Sequence, residues 1–130
     1  MEPRRILIIE DNVAIREMIA EILTSEGYMI DQAANGREAL VKLQHVRPDA
    51  ILLDLMMPVM DGPTFVKACD GLDHAATIPK VIMSASPDLA NSATQLRDYG
   101  VRAELPKPFD VDRLLAIMHQ VANGSRSCRY

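Results

Sequence analysis

A chain of 130 residues with 48% hydrophobic and 25% charged side chains is long enough to close one hydrophobic core and is read as one globular domain. Its net charge of −4 argues against a basic face built to hold nucleic acid or anionic lipid. Cys69 and Cys128 stand far apart with no metal-type spacing, and the first apolar run lasts only four residues, which argues against a disulfide scaffold, a signal peptide and a membrane span. A cytoplasmic protein with reduced thiols is the expectation.

In chain order, strand and helix alternate five times. Ile6-Leu7-Ile8-Ile9 is a strand-like run followed at once by Glu10-Asp11-Asn12. Ile15, Met18, Ile19, Ile22 and Leu23 recur at helical spacing, with Gly27 placed to end that helix in a left-handed turn. Residues 28–33 form a second strand, Asn35-Gly36 break it, and Ala39, Leu40 and Leu43 give a short helical stripe that Pro48 is expected to stop. Ala50 to Leu53 is a third strand, apolar enough to be buried on both faces, and it leads directly into Asp54. Gly62-Pro63 open a helix with Phe65, Val66 and Cys69 inward, running out near Gly71. Lys80 to Ser84 is the fourth strand. Ser86 is the expected N-cap, with Pro87 in the first turn, of a helix carrying Leu89, Ala93 and Leu96 and closed by Gly100. Val101 to Leu105 is a weaker fifth strand. Asp110 is placed to cap a last helix, with Leu114, Leu115, Met118, Val121 and Ala122 on one face and Asn123-Gly124 at its end. Residues 1–124 are read as the domain and 125–130 as a flexible tail.

Apolar strands alternating with helices predict an α/β fold, a parallel sheet covered on both faces. Ligands of such sheets bind beyond the carboxyl ends of the strands, where strand order reverses. Glu10 and Asp11 end the first strand, Asp54 the third and Ser84 the fourth, and Lys107 follows the fifth within Leu105-Pro106-Lys107-Pro108-Phe109. Taken singly, each has an ordinary explanation as a helix cap, a turn residue, a strand end or a solvated lysine. Together and in this order, they converge on one rim.

Three carboxylates at one rim repel one another, and a hard divalent cation with oxygen ligands relieves that repulsion; Mg²⁺ fits best. Such an ion keeps positions open for water and a phosphoryl oxygen, leaving Asp54 able to act as a nucleophile toward phosphorus. Lys107 supplies a point charge and the Ser84 hydroxyl a donor for phosphoryl oxygens. Met56, Met57 and Met60 are read as packing or partner surface, Asp61-Gly62 as a turn, Cys69 as core, and His45, His74 and His119 as surface residues.

The ordered set Ile9-Glu10-Asp11, Asp54 within Asp-Leu-Met-Met-Pro-Val-Met-Asp-Gly, Ser84-Ala85 and Lys107-Pro108-Phe109 resembles the receiver domain of two-component response regulators, over residues 4 to about 122. The resemblance implies a flavodoxin-like doubly wound fold with five parallel strands in the order 2-1-3-4-5. It implies Asp54 as phosphoacceptor, with Asp11, Asp54 and the Met56 backbone carbonyl as direct Mg²⁺ ligands and Glu10 acting through water; Mn²⁺ can substitute. Lys107 and Ser84 then contact the phosphoryl group, and the Lys107–Pro108 peptide is expected to be cis. The donor implied is a phosphohistidine on a sensor histidine kinase or a histidine phosphotransfer protein. The chain would catalyse its own phosphorylation and dephosphorylation without being an enzyme toward another substrate.

The family commonly carries Tyr or Phe three residues before the lysine, where this chain has Glu104. A carboxylate entering an apolar slot meets a large desolvation cost, so output through the face of the fourth helix, fifth strand and fifth helix is expected to proceed without the usual aromatic switch. Two alternatives stay open: a constitutive interaction module without turnover, and a receiver cut from a longer response regulator. An aspartate-nucleophile phosphatase is weaker, because Met56 stands where such enzymes need a second acid.

Overall fold

The computed structural model describes residues 3–127. The elements run β1 (Arg5–Ile9), α1 (Val13–Ser25), β2 (Met29–Ala33), α2 (Gly36–Lys42), β3 (Ala50–Asp54), α3 (Gly62–Cys69), α4 (Asp73–Ala76), β4 (Lys80–Ser84), α5 (Leu89–Gln95), a 3-10 turn (Arg97–Tyr99), β5 (Val101–Pro106) and α6 (Val111–Ser127). All four strand pairings are parallel, in the order β2-β1-β3-β4-β5. This is the doubly wound sheet expected from the alternation.

The three inner strands explain the stability of the sheet. Ile6 to Ile9, Ala50 to Leu53 and Val81 to Met83 are wholly buried, and alternate side chains feed two separate cores. Leu7, Ile9, Ile51, Leu53 and Ile82 pack with Phe65, Val66 and Leu96, while Ile6, Ile8, Leu52, Val81 and Met83 pack with Ile19, Leu23, Leu114 and Met118. Each such side chain contributes about 1.5–3 kcal/mol of transfer free energy. Cys69 belongs to the first core, as expected, and burial lifts its thiol to about 11, so it stays protonated. Chain order reverses between β1 and β3, which opens the crevice where Glu10, Asp11 and Asp54 stand.

Several local expectations are corrected. Met18 is about half exposed, because Ile19 and Leu23 already fill the inward stripe of α1. The second helix ends at Lys42, well before Pro48, and its terminal carbonyls are taken up by a tight turn over residues 43–46. The helix after β4 begins at Leu89 rather than at Pro87. The Ser86 hydroxyl accepts from the Asp88 N–H (3.1 Å) in a local turn instead of capping the helix. The last helix continues past Asn123-Gly124 to Ser127, and the rest of the expected tail lies outside the described residues. Asp110 does cap that helix, accepting from the Arg113 N–H at 2.7 Å. Gly27 and Gly100 both adopt left-handed backbone, as helix-ending glycines should. Among the described residues no helix is long and apolar enough to cross a membrane.

Candidate active site

The rim is built by strand ends. Burial of β1 and β3 on both faces carries Glu10 and Asp54 into the crevice almost covered, at 1% and 7% exposure, while Asp11, one residue on, is exposed. Oxygens of the three carboxylates lie within 4.8 Å of one another. Lys107 answers them from the loop after β5: its Nζ donates to Asp54 Oδ2 (2.8 Å) and to Glu10 Oε1 (2.9 Å). Its backbone N–H donates to the Ser84 carbonyl at 2.9 Å, so the lysine loop is pinned to the end of β4. The Lys107–Pro108 peptide is cis, as expected.

Each acid is held in a distinct way. Asp54 Oδ1 accepts from the Met56 N–H (2.9 Å), which together with Lys107 on Oδ2 fixes the plane of the carboxylate. Glu10 Oε2 accepts from the Asn12 N–H (3.2 Å), while Asn12 also caps α1 by accepting from the Ile15 N–H (3.0 Å). Burial raises the Glu10 carboxyl above its ordinary value; Lys107 and Asn12 oppose the rise, and Asp11 and Asp54 add to it. For Lys107, burial pulls the ammonium down, but the bonds to Asp54 and Glu10 outweigh it and the net shift is upward. The lysine is therefore firmly charged.

The loop from Asp54 to α3 folds back on itself tightly. The Gly62 N–H donates to the Leu55 carbonyl (2.9 Å), and a Cβ on Gly62 would lie 2.7 Å from the Leu55 Cα, so only glycine permits this return. Asp61, expected only as part of a turn, also caps α3 by accepting from the Thr64 N–H (2.8 Å). Met57 and Met60 pack on the core, whereas Met56 is 72% exposed beside the site. Ser84 is buried, and its Oγ accepts from the Ser86 N–H (3.0 Å), leaving the hydroxyl hydrogen available for donation. A cavity of about 550 Å³ opens between Ser84, Ser86, Met56 and Pro63.

A divalent cation fits this donor set. All the oxygens are hard, and three carboxylates against one ammonium leave an excess of negative charge that a dication would offset. Thus Glu10, Asp11, Asp54 and Lys107 are brought together, with Ser84 and Met56 at the edges of the same crevice.

Two residues escaped the sequence reading. Arg16 donates from Nη1 to the Glu10 carbonyl (2.9 Å), and its signal was a cation one turn into the helix that follows an acidic strand end. Lys80 is fully buried at the opposite end of β4, donating to the carbonyls of Ile78 (2.7 Å) and Ala75 (3.0 Å); no sequence pattern marks it. His74, read as a surface residue, is half-buried, with its Nε2 2.6 Å from the Leu43 carbonyl. Glu104 is half-buried on the α5 side of β5, opposite Ala103 and Leu105.

Known proteins resemble this chain in sequence and in fold. The chain is 38% identical over 117 residues to the response regulator MprA of Mycolicibacterium vanbaalenii, covering 89% of this chain and 49% of that protein, so it spans about half the length of that relative. It is 36% identical over 114 residues to sporulation initiation phosphotransferase F of Bacillus subtilis, covering 88% of this chain and 90% of that protein. The structure of the chemotaxis response regulator CheY4 of Vibrio cholerae superposes with a TM-score of 0.83 at 33% identity, over 92% of this chain and 98% of that one. The family model of the response regulator receiver domain matches residues 6–119, nearly the whole chain. A sheet in the order 2-1-3-4-5, an acid cluster at its switch point and a sequence match from Ile6 to His119 agree on one assignment: the chain belongs to the receiver domains of two-component response regulators.

Proposed function

We propose that this receiver works as a phosphoacceptor switch, with Asp54 taking a phosphoryl group from a phosphohistidine. The observation that carries this reading is the Asp54 carboxylate, fixed in the crevice by the Met56 N–H and Lys107 and flanked by Glu10 and Asp11. An oxygen of Asp54 attacks phosphorus, the P–O bond of an acyl phosphate forms, and the P–N bond to the donor imidazole breaks. The electron pair goes to the imidazole nitrogen, which takes up a proton. As the Asp54 negative charge is consumed, Lys107 transfers its bond from Oδ2 to a phosphoryl oxygen, and the free Ser84 hydrogen donates to another. Asp11, Asp54 and the Met56 carbonyl, with Glu10 through water, would hold Mg²⁺ or Mn²⁺, which supplies charge neutralisation for the incoming phosphoryl oxygens.

The donor is a sensor histidine kinase or a histidine phosphotransfer protein in the cytoplasm, and the output leaves through the face formed by α5, β5 and α6. Glu104 stands on that face in place of the family's usual aromatic residue. The output partner and any further domain are read by that face rather than by a nucleic-acid or membrane contact of this domain.

Intact mass after incubation with acetyl phosphate tests the chemistry. Wild type should gain one phosphoryl group with Mg²⁺ and none in excess chelator, and Asp54→Asn should gain none. Modification of Asp54→Asn at the wild-type rate, or full reaction in chelator, would sink the proposal.

A further inference from the structure

The backbone and carboxylate groups of Glu10 are all held. Its N–H donates to the Ala33 carbonyl (3.1 Å), its carboxylate accepts from Lys107 and Asn12, and its carbonyl oxygen accepts from Arg16 Nη1 (2.9 Å). The last bond is the informative one, because a side chain from α1 reaches back to hold the backbone of the strand that precedes it. Arg16 is itself held: its Nε donates to Gln32 Oε1 (3.1 Å) on β2, and the Gln32 carbonyl accepts from Lys42 Nζ on α2. The guanidinium therefore spans the ends of two neighbouring strands.

The Glu10 carbonyl lies in the peptide plane that joins Glu10 to Asp11. Six atoms of that unit move together, so fixing the oxygen fixes the plane and with it the N–Cα bond of Asp11, the axis about which its side chain leaves the backbone. Asp11 needs such help. It is past the end of β1 and exposed, whereas Glu10 and Asp54 are immobilised by burial.

We infer that Arg16 is a positioning residue for divalent-cation binding, holding the Glu10–Asp11 peptide so that the Asp11 carboxylate points into the crevice beside Asp54. This rests on the reading that Glu10, Asp11 and Asp54 bind Mg²⁺. The sign of the effect separates positioning from charge. Arg16 is a cation near a proposed dication, so if only its charge acted, removing it would tighten Mg²⁺ binding. If it positions Asp11, removing it weakens binding, on the order of tenfold by analogy with groups that orient metal ligands.

The experiment titrates Mg²⁺ alone into the full chain, following backbone amide shifts, for wild type, Arg16→Met, Arg16→Lys and Gln32→Leu, with a thermal melt of each. Arg16→Met is expected to weaken binding on the order of tenfold. Arg16→Lys keeps the charge but lacks the fork that reaches both acceptors, and should fall between wild type and Arg16→Met. Gln32→Leu frees one end of the guanidinium and should weaken binding less, in the same direction. Equal or tighter binding in a folded Arg16→Met overturns the inference. If that variant does not fold, wild-type affinity in both Arg16→Lys and Gln32→Leu overturns it instead. Absence of Mg²⁺ binding in wild type would remove the metal reading itself, and the inference with it, a result visible before any variant is compared.

Discussion

Val59 sits in the loop after Asp54 with a φ of 71°, and the Met60 N–H donates to the Pro58 carbonyl (2.7 Å) across it. That is the strained form of the γ-turn, and a β-branched side chain is a poor occupant of left-handed backbone. At 71% exposure its side chain recovers little burial in return. Relief of the strain by glycine is worth roughly 1–2 kcal/mol, and the extra freedom of glycine in the unfolded chain takes back about 0.5–1 kcal/mol. Val59→Gly should therefore stabilise the fold by up to about 1.5 kcal/mol, read as a higher urea midpoint at unchanged slope. A lower midpoint would mean that Val59 makes a contact worth more than its strain. Lys80 is a contrasting case at the same scale. Burial lowers the affinity of its amine for the proton, and the Nζ is still satisfied, donating to the carbonyls of Ala75 in α4 and of Ile78 just beyond it.

At the scale of elements, the strands were the legible part of the sequence, because runs such as Ile6 to Ile9 and Ala50 to Leu53 are buried on both faces and leave nothing to decide. The site was legible for the same reason: a polar residue directly after such a run must stand on the rim. Helix ends were less legible. Pro48 and Pro87 are strong punctuation in sequence, yet α2 stops six residues before the first and α5 starts two residues after the second, because local turns satisfy the terminal groups. A four-residue helix such as α4 has no periodicity to read, and the burial of Lys80 depends on carbonyls that only the fold brings near. The edge element β5 carries the testable consequence. Glu104 on its α5 side makes the proposed output face charged, and a new dianion at Asp54 should hold the carboxylate outward, where a basic partner group can pair with it. Binding of the phosphorylated form to its partner should weaken with salt and weaken further in Glu104→Gln. Equal affinity for wild type and Glu104→Gln across a salt series would remove Glu104 from the signal path.

For the molecule as a whole, the sheet order explains why one crevice collects the chemistry. Reversal between β1 and β3 separates the helices that follow them, so Glu10, Asp11 and Asp54 face each other across open space while β4 and β5 deliver Ser84 and Lys107 from the side. Two close-packed cores, one on each face of the sheet, hold this frame in place. Which residue accepts the phosphoryl group decides the proposed chemistry. An aspartyl phosphate is an acyl phosphate and borohydride reduces it to an alcohol, so the acceptor can be located by peptide sequencing after treatment with acetyl phosphate and Mg²⁺. Homoserine is expected at position 54 and at no other aspartate; the phosphoryl group on another residue, or aspartate unchanged at 54 in a chain whose mass shows one phosphoryl added, would contradict Asp54 as the acceptor.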